Sequence, residues 1–203
     1  MVMKVPLFPL HVVLFPGTPL PLHIFEERYK EMIGECLASR SGFGVVRAQR
    51  EGLAVIGCMA SILRVLHTYD DGRMDILCQG TDRFEIEQLD NSRAFLQAEV
   101  DFFSDDGDES TRALREECLA LHFEILELAG IEQPSVQLDL GAPIAFHLAA
   151  ALPADLGFKQ QLLVLRSDAE RTRMLCDFYR VMLPKLRAGA HANRVASGNG
   201  RVM

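Results

Sequence analysis

Between Val5 and Phe25 the chain has no Asp, Glu, Lys or Arg. An uncharged stretch of that length is what a membrane span would need, since about 20 apolar residues cross a bilayer. Five prolines exclude that use of it: Pro6, Pro9, Pro16, Pro19 and Pro21. Each lacks an amide hydrogen and fixes φ, so a helix through Leu7–Leu22 would lose hydrogen bonds repeatedly. The residue before each proline is also pushed toward extended geometry. Short, extended apolar pieces with sharp corners suit a small β-barrel or a bent sheet. No small-residue cleavage site follows the segment, so neither a signal peptide nor a membrane attachment is expected. The expected location is cytoplasmic.

Several enzyme motifs are missing as well. The chain has no G-x-x-x-x-G-K-[ST] phosphate loop, no H-E-x-x-H and no G-x-S-x-G nucleophile elbow. Gly42-Phe43-Gly44 lacks the third glycine and the strand-then-helix setting of a dinucleotide fingerprint. Five cysteines (Cys36, Cys58, Cys78, Cys118 and Cys176) cannot all pair and form no C-x-x-C unit, a pattern of reduced intracellular thiols. His11, His23, His67, His122, His147 and His191 have no ligand-like spacing to one another or to the cysteines. No metal, cofactor or catalytic residue is therefore expected. Glu26 and Glu27 do not make an acid/base pair: adjacent helical residues diverge, and carboxylates at a helix start are explained by the helix dipole. Basic charge is also short, with 21 Lys and Arg against 28 Asp and Glu, net -7. Phosphate neutralisation needs the opposite balance, so nucleic acid is disfavoured.

What is present reads as two halves. Val12–Phe15 is a predicted strand ended by Pro16-Gly17, and Leu20–Phe25 a second. A helix follows from Glu26, with Tyr29, Met32, Ile33, Cys36 and Leu37 on one face, and Ser41-Gly42 stops it. Phe43–Arg47, Val55–Leu66, Arg73–Gln79, Phe84–Leu89 and Ala94–Phe103 are further strands, with Asp70-Asp71-Gly72 turning a hairpin. Many short strands with frequent turns suggest a curved or closed antiparallel sheet.

At Ser104–Ser110 the composition becomes acidic, around Gly107, and reads as a solvated linker. Beyond it the periodicity is helical. Leu114, Cys118, Leu121, Ile125 and Leu128 form one stripe ended by Gly130, and Cys36 and Cys118 fall on apolar helix faces as small buried hydrophobes. Ile144–Leu152 is a short helix stopped by Pro153, and Leu156–Leu165 is another. Ser167 and Asp168 cap a last helix carrying Met174, Leu175, Phe178 and Met182, which Pro184 should end or kink. The expected divisions are 1–103, linker 104–110, helices 111–187, and a disordered tail 188–203 rich in Gly, Ala, Ser and Asn.

With these segments placed, the chain resembles the amino-terminal substrate-recognition domain of Lon-type ATP-dependent proteases. The likeness is carried by Pro6-Leu7-Phe8-Pro9-Leu10, Phe15-Pro16-Gly17 and Leu20-Pro21-Leu22-His23-Ile24-Phe25-Glu26-Glu27-Arg28-Tyr29. It continues at Gly57–Val65 and Gln79-Gly80-Thr81-Asp82-Arg83-Phe84, then at Ile144–Pro153, Lys159–Leu163 and Asp168–Arg173. The resemblance implies an α+β fold: a PUA-like, mostly antiparallel β-barrel with one early helix, followed by an α-helical bundle. Lon proteases continue into an ATPase module and a Ser–Lys protease module. The chain ends soon after the helices and has no Gly-Lys dipeptide, so it resembles the stand-alone Lon-domain proteins, and neither proteolysis nor ATP hydrolysis is expected.

The resemblance implies a non-catalytic module that binds unfolded or extended polypeptide, as a recognition or adaptor factor for a separate protease or chaperone. Its candidate surface is Phe8, Phe15, Leu22, Phe25, Arg28, Tyr29, Arg83 and Phe84. Arg28 and Arg83 are either rim charges on that surface or anchors tying the early helix to the sheet. Phe8, Phe15 and Leu22 are either core or an exposed apolar patch. Two other readings stand beside it: RNA binding, by analogy with other PUA-like barrels, and a small-molecule enzyme whose site is assembled from distant residues.

Overall fold

The computed structural model describes residues 3–131 and 139–198, and the chain divides into two compact units. One takes the residues up to Asp105 together with Pro153–Arg166; the other takes Asp106–Leu152 and the residues from Ser167 onward.

The first unit is a mostly antiparallel sheet with helices. Its strands are β1 (Met3–Leu10), β2 (Pro19–Ile24), β3 (Phe43–Gln49), β4 (Gly52–Leu53), β5 (Ile56–Thr68), β6 (Met74–Asp90) and β7 (Gln97–Phe103). Helix α1 (Glu27–Ser39) follows β2. The strand order is β1-β7-β6-β5-β3-β4, and β2 pairs off this path with the Met74–Gln79 part of β6, ahead of the part that pairs with β7. β1 also pairs in parallel with β3, Phe8 opposite Val45, so the path of pairings returns to β1. Every other pairing described is antiparallel. Val5, Leu7, Val46, Met59, Phe84, Ala98 and Val100 meet as one buried cluster.

The first strand is not where β-branched residues suggested. Val12–Phe15 is irregular, and Met3–Leu10 is the strand, with Pro6 and Pro9 inside it. The chain must turn between β1 and β2, and Leu14 and Phe15 anchor that turn by burial. The Phe15 carbonyl accepts from the Thr18 amide at 3.2 Å and the Thr18 hydroxyl at 2.8 Å. Arg73–Gln79 and Phe84–Leu89 are likewise one continuous strand, β6. Gly80 at its middle is required by close approach: a Cβ there would lie 2.1 Å from the Phe15 carbonyl oxygen. α1 buries four of the five residues on its expected face, Tyr29, Met32, Ile33 and Cys36, while Leu37 is exposed at the face's edge; the helix ends in Arg40 at φ 55.

Helix α4 (Leu156–Val164) belongs to this unit, although its sequence groups it with the later helices. Side chains from the sheet hold it: Arg47 donates to the Leu156 carbonyl at 3.1 Å, and Arg83 to that of Leu163 at 2.9 Å. In return Gln160 donates to the Ile56 carbonyl at 2.9 Å.

The second unit contains α2 (Arg112–Leu128), α3 (Ala145–Ala151) and α5 (Asp168–Gly198). Thr111 caps α2 by accepting from the Leu114 amide at 3.3 Å. Arg180 pairs with Glu117, and Arg187 with Glu124, each 63 residues apart; the constant offset makes α2 and α5 parallel. The Arg171 guanidinium is fully buried, 3.8 Å from the centre of the Phe146 ring. Residues 104–109 are exposed and irregular, as a solvated linker would be, and the segment is tied down at its end. Asp108 accepts from the Ser167 hydroxyl at 2.6 Å, and Ser110 is buried with its amide 3.0 Å from the Asp168 carboxylate. α5 passes through Pro184 and continues to Gly198, so 188–198 is helical where composition suggested a disordered tail. Residues 199–203 lie outside the described residues.

Candidate functional site

In the first unit, the ends of β1 and β2 and the first turn of α1 enclose a groove of about 280 Å³. Phe8, Pro9 and Leu10 come from β1, and Leu22, His23 and Ile24 from β2. Phe25, Glu26, Arg28 and Tyr29 complete it as the chain enters the helix. The local fold follows from the sequence. β2 ends in an uncharged run, and the carboxylate of Glu27 in the first turn of α1 favours a helix start there.

The floor is apolar and aromatic. Phe8 and Tyr29 are nearly buried, with ring centres 4.0 Å apart, and Phe43 stands 6.0 Å from Phe8. Burial pushes the Tyr29 phenol above its ordinary pKa. Phe25, in contrast, is 61% exposed at the mouth. Arg28 crosses the rim with its guanidinium 4.6 Å from the centre of the Tyr29 ring and bonds the Glu26 carboxylate at 2.7 and 2.9 Å. Beside it, His23 Nδ1 lies 2.6 Å from Asp75 Oδ1, and the Tyr69 hydroxyl donates to Asp75 Oδ2 at 2.8 Å. The His23 bond first, and the Tyr69 bond second, hold the Asp75 carboxyl below its ordinary range. Apolar floor, exposed aromatic and paired rim charges suit the binding of apolar side chains.

Five of the eight residues singled out by sequence meet here: Phe8, Leu22, Phe25, Arg28 and Tyr29. The other three do not. Phe84 is in the core cluster, Phe15 is fully buried beneath the β6 glycine, and Arg83 is 3% exposed. Arg83 is an anchor: besides Leu163 it bonds the Leu165 carbonyl and the Asp105 carboxylate, and its guanidinium lies 4.6 Å from the Phe103 ring centre. A proximity of matched motifs in sequence did not bring their side chains to one surface. Sequence reading missed His23 with Asp75 and Tyr69, because nothing local signals contacts 46 to 52 residues apart.

A second groove of about 300 Å³, lined by Met3, Gly42, Met59, Ala60, Ser61, Thr81, Asp82 and Phe102, holds none of the eight. Among the described residues no group of three or more His, Cys, Asp or Glu could hold a metal ion. All five cysteines are buried free thiols, and burial pushes Cys58 and Cys78 up to about 12, leaving them protonated at neutral pH. Among the described residues no helix is long and apolar enough to cross a membrane.

This fold and sequence have known counterparts. A family model for the ATP-dependent protease La (LON) substrate-binding domain matches residues 4–180. The chain is 26% identical to a Lon protease of Parabacteroides distasonis over 84% of its own length and 23% of the relative's. It is 30% identical to a Lon protease of Roseiflexus castenholzii over 85% of its length, again 23% of the relative's. The chain thus spans about a quarter of the length of these proteases. Among solved structures, a Lon N-terminal domain protein from Xanthomonas campestris superposes with a TM-score of 0.69 at 27% identity, covering 85% of this chain and 96% of that one. The N-terminal domain of the Mycobacterium avium complex Lon protease shares the fold, at a TM-score of 0.62 and 20% identity, with 88% and 98% covered. The chain belongs to the Lon substrate-binding domain family.

Proposed function

We propose that this chain recognises unfolded or extended polypeptide through the β1–β2–α1 groove and selects substrates for proteolysis, with a separate protease or chaperone as its working partner. The observation that carries the reading is Phe25, left 61% exposed at the mouth of an apolar groove in a chain of the Lon substrate-binding family. An exposed aromatic contiguous with an apolar groove and rimmed by charged side chains is the kind of patch that marks an interaction site. The return of the strand path to β1 supports a closed barrel as the scaffold of the first unit, and the parallel packing of α2 and α5 supports a helical bundle in the second. Five unpaired thiols favour a reducing compartment such as the cytoplasm.

The test is binding of a reduced, carboxymethylated model protein by isothermal calorimetry. The parent chain is expected to bind, and Leu22→Ala with Phe25→Ala to weaken binding by about tenfold or more, with little change in unfolding midpoint. Equal binding by the variant, or no binding by the parent at several hundred micromolar, would sink the reading. Displacement of the bound protein by single-stranded RNA would favour the RNA reading instead.

A further inference from the structure

We infer that the groove reads its polypeptide through side chains alone, without adding a strand to the sheet, and so accepts extended segments that contain proline. The inference rests on the polypeptide reading above. Two strand edges border the groove, and an extended segment would ordinarily pair its backbone with such an edge. Pairing needs N–H donors that point outward from the edge, and residues in a strand alternate in the direction they point them.

On β2 the alternation can be read from its neighbour. The Gly80 amide donates to the Thr18 carbonyl at 2.9 Å, and β2 pairs with β6 in the register that places Leu20 opposite Cys78 and Leu22 opposite Ile76. Even-numbered residues therefore turn their backbone groups toward β6, and residues 19, 21 and 23 turn theirs to the open edge. That edge has no strand partner among the described residues. Two of its three positions are Pro19 and Pro21, both exposed, on the stretch of the β2 edge that an extended segment would follow out of the groove; the third, His23, lines the groove itself. On β1 the Leu7 amide donates to the Leu96 carbonyl at 2.8 Å, away from β3, so by the same alternation position 9 also faces away from β3. It too is proline, and it lines the groove.

Of the four outward positions at residues 9, 19, 21 and 23, only His23 has an N–H to offer. An added strand would desolvate its own carbonyls against these edges and leave most of them without a donor. Prolines at a free edge block strand addition by neighbouring molecules in the same way. The apolar floor made by Phe8, Leu22 and Tyr29 is untouched by this block and can take side chains from a segment whose own amides stay in water or are absent. Proline-bearing segments, which backbone-pairing sites refuse, are then admitted on equal terms.

The experiment compares fluorescein-labelled nonapeptides of serine alternating with phenylalanine and leucine, binding to the full chain by anisotropy. One is unmodified, and two carry N-methyl groups on alternate residues in the two possible phases. N-methylation in either phase is expected to change Kd by less than about threefold. A loss of about tenfold or more in one phase would overturn the inference and leave the polypeptide reading standing. Failure of the unmodified peptide and of the carboxymethylated protein to bind would bring both down. Pro21→Thr returns an N–H to the exposed edge and is expected to introduce a methylation penalty of about threefold or more. A variant that responds to methylation as the parent does would overturn the prolines as the cause.

Discussion

Arg28 and Arg83 look alike in sequence, each beside an aromatic in a matched motif, and the fold gives them opposite work. Arg28 is half exposed and paired with Glu26 two residues away, an arrangement worth little to stability because water screens it. Arg83 is buried, donates to two carbonyls of the α4 segment and pairs with Asp105. Removing a buried ion's partners leaves the rest uncompensated. Arg83→Ala is therefore expected to cost about 3 kcal/mol in urea denaturation, and Arg83→Lys most of that, since an ammonium cannot supply the planar fork. Arg28→Ala should cost less than about 1 kcal/mol. Comparable losses for the two alanine variants would refute the division. Sequence could name both arginines but not separate them, because burial depends on α4, whose residues lie about 80 positions beyond Arg83.

At the scale of elements, the legible features were those written in local periodicity. α1 buries the face its three- and four-residue spacing marks, and β5 and β6 turn at Asp70-Asp71-Gly72, where Gly72 sits at φ 80. The illegible ones depend on a neighbour distant in sequence. β6 looked interrupted at Gly80, yet the glycine is there because the Phe15 carbonyl occupies its Cβ position. Gly80→Ala should then destabilise the first unit by about 2–4 kcal/mol, because the obstacle is backbone and cannot swing aside. Gly34 in α1 faces open space, with no neighbour within 4 Å of where a methyl group would sit. Gly34→Ala should therefore be neutral or stabilise by about 0.5–1 kcal/mol. Guanidinium denaturation midpoints of the two variants decide it, and a Gly80→Ala variant as stable as the parent would contradict the packing account. Val12–Phe15 fails as a strand for a related reason: Leu14 and Phe15 are inward anchors of a turn, and propensity does not distinguish that from a strand.

The whole molecule carries one expected dependence on pH. His122 is buried on α2 with Nδ1 2.8 Å from the Tyr179 hydroxyl of α5, and burial lowers its pKa from 6.5 to about 4. The folded chain thus keeps the imidazole neutral where the unfolded chain protonates it. Above pH 6.5 both forms are neutral and the full stability is present; as pH falls from 6.5 toward 4 it drains away, by up to about 3 kcal/mol. Calorimetry across that window should show the unfolding temperature of the parent dropping, and His122→Gln showing a shallower slope from a lower start. An unchanged slope in the variant would assign the dependence elsewhere.

Local order and family were determined by the sequence alone. Proline spacing rules out a helix through the uncharged start, and residue periodicity marks the early helix and the later ones, because both act within a few positions along the chain. Motif order then carries the Lon likeness. Only the tertiary structure decided that α4 joins the sheet, that Phe15, Arg83 and Phe84 are interior, and that Phe8, Leu22, Phe25, Arg28 and Tyr29 share a groove. These are outcomes of strand register and of contacts spanning tens of residues, which turn one side chain of an uncharged segment inward and leave the next in water.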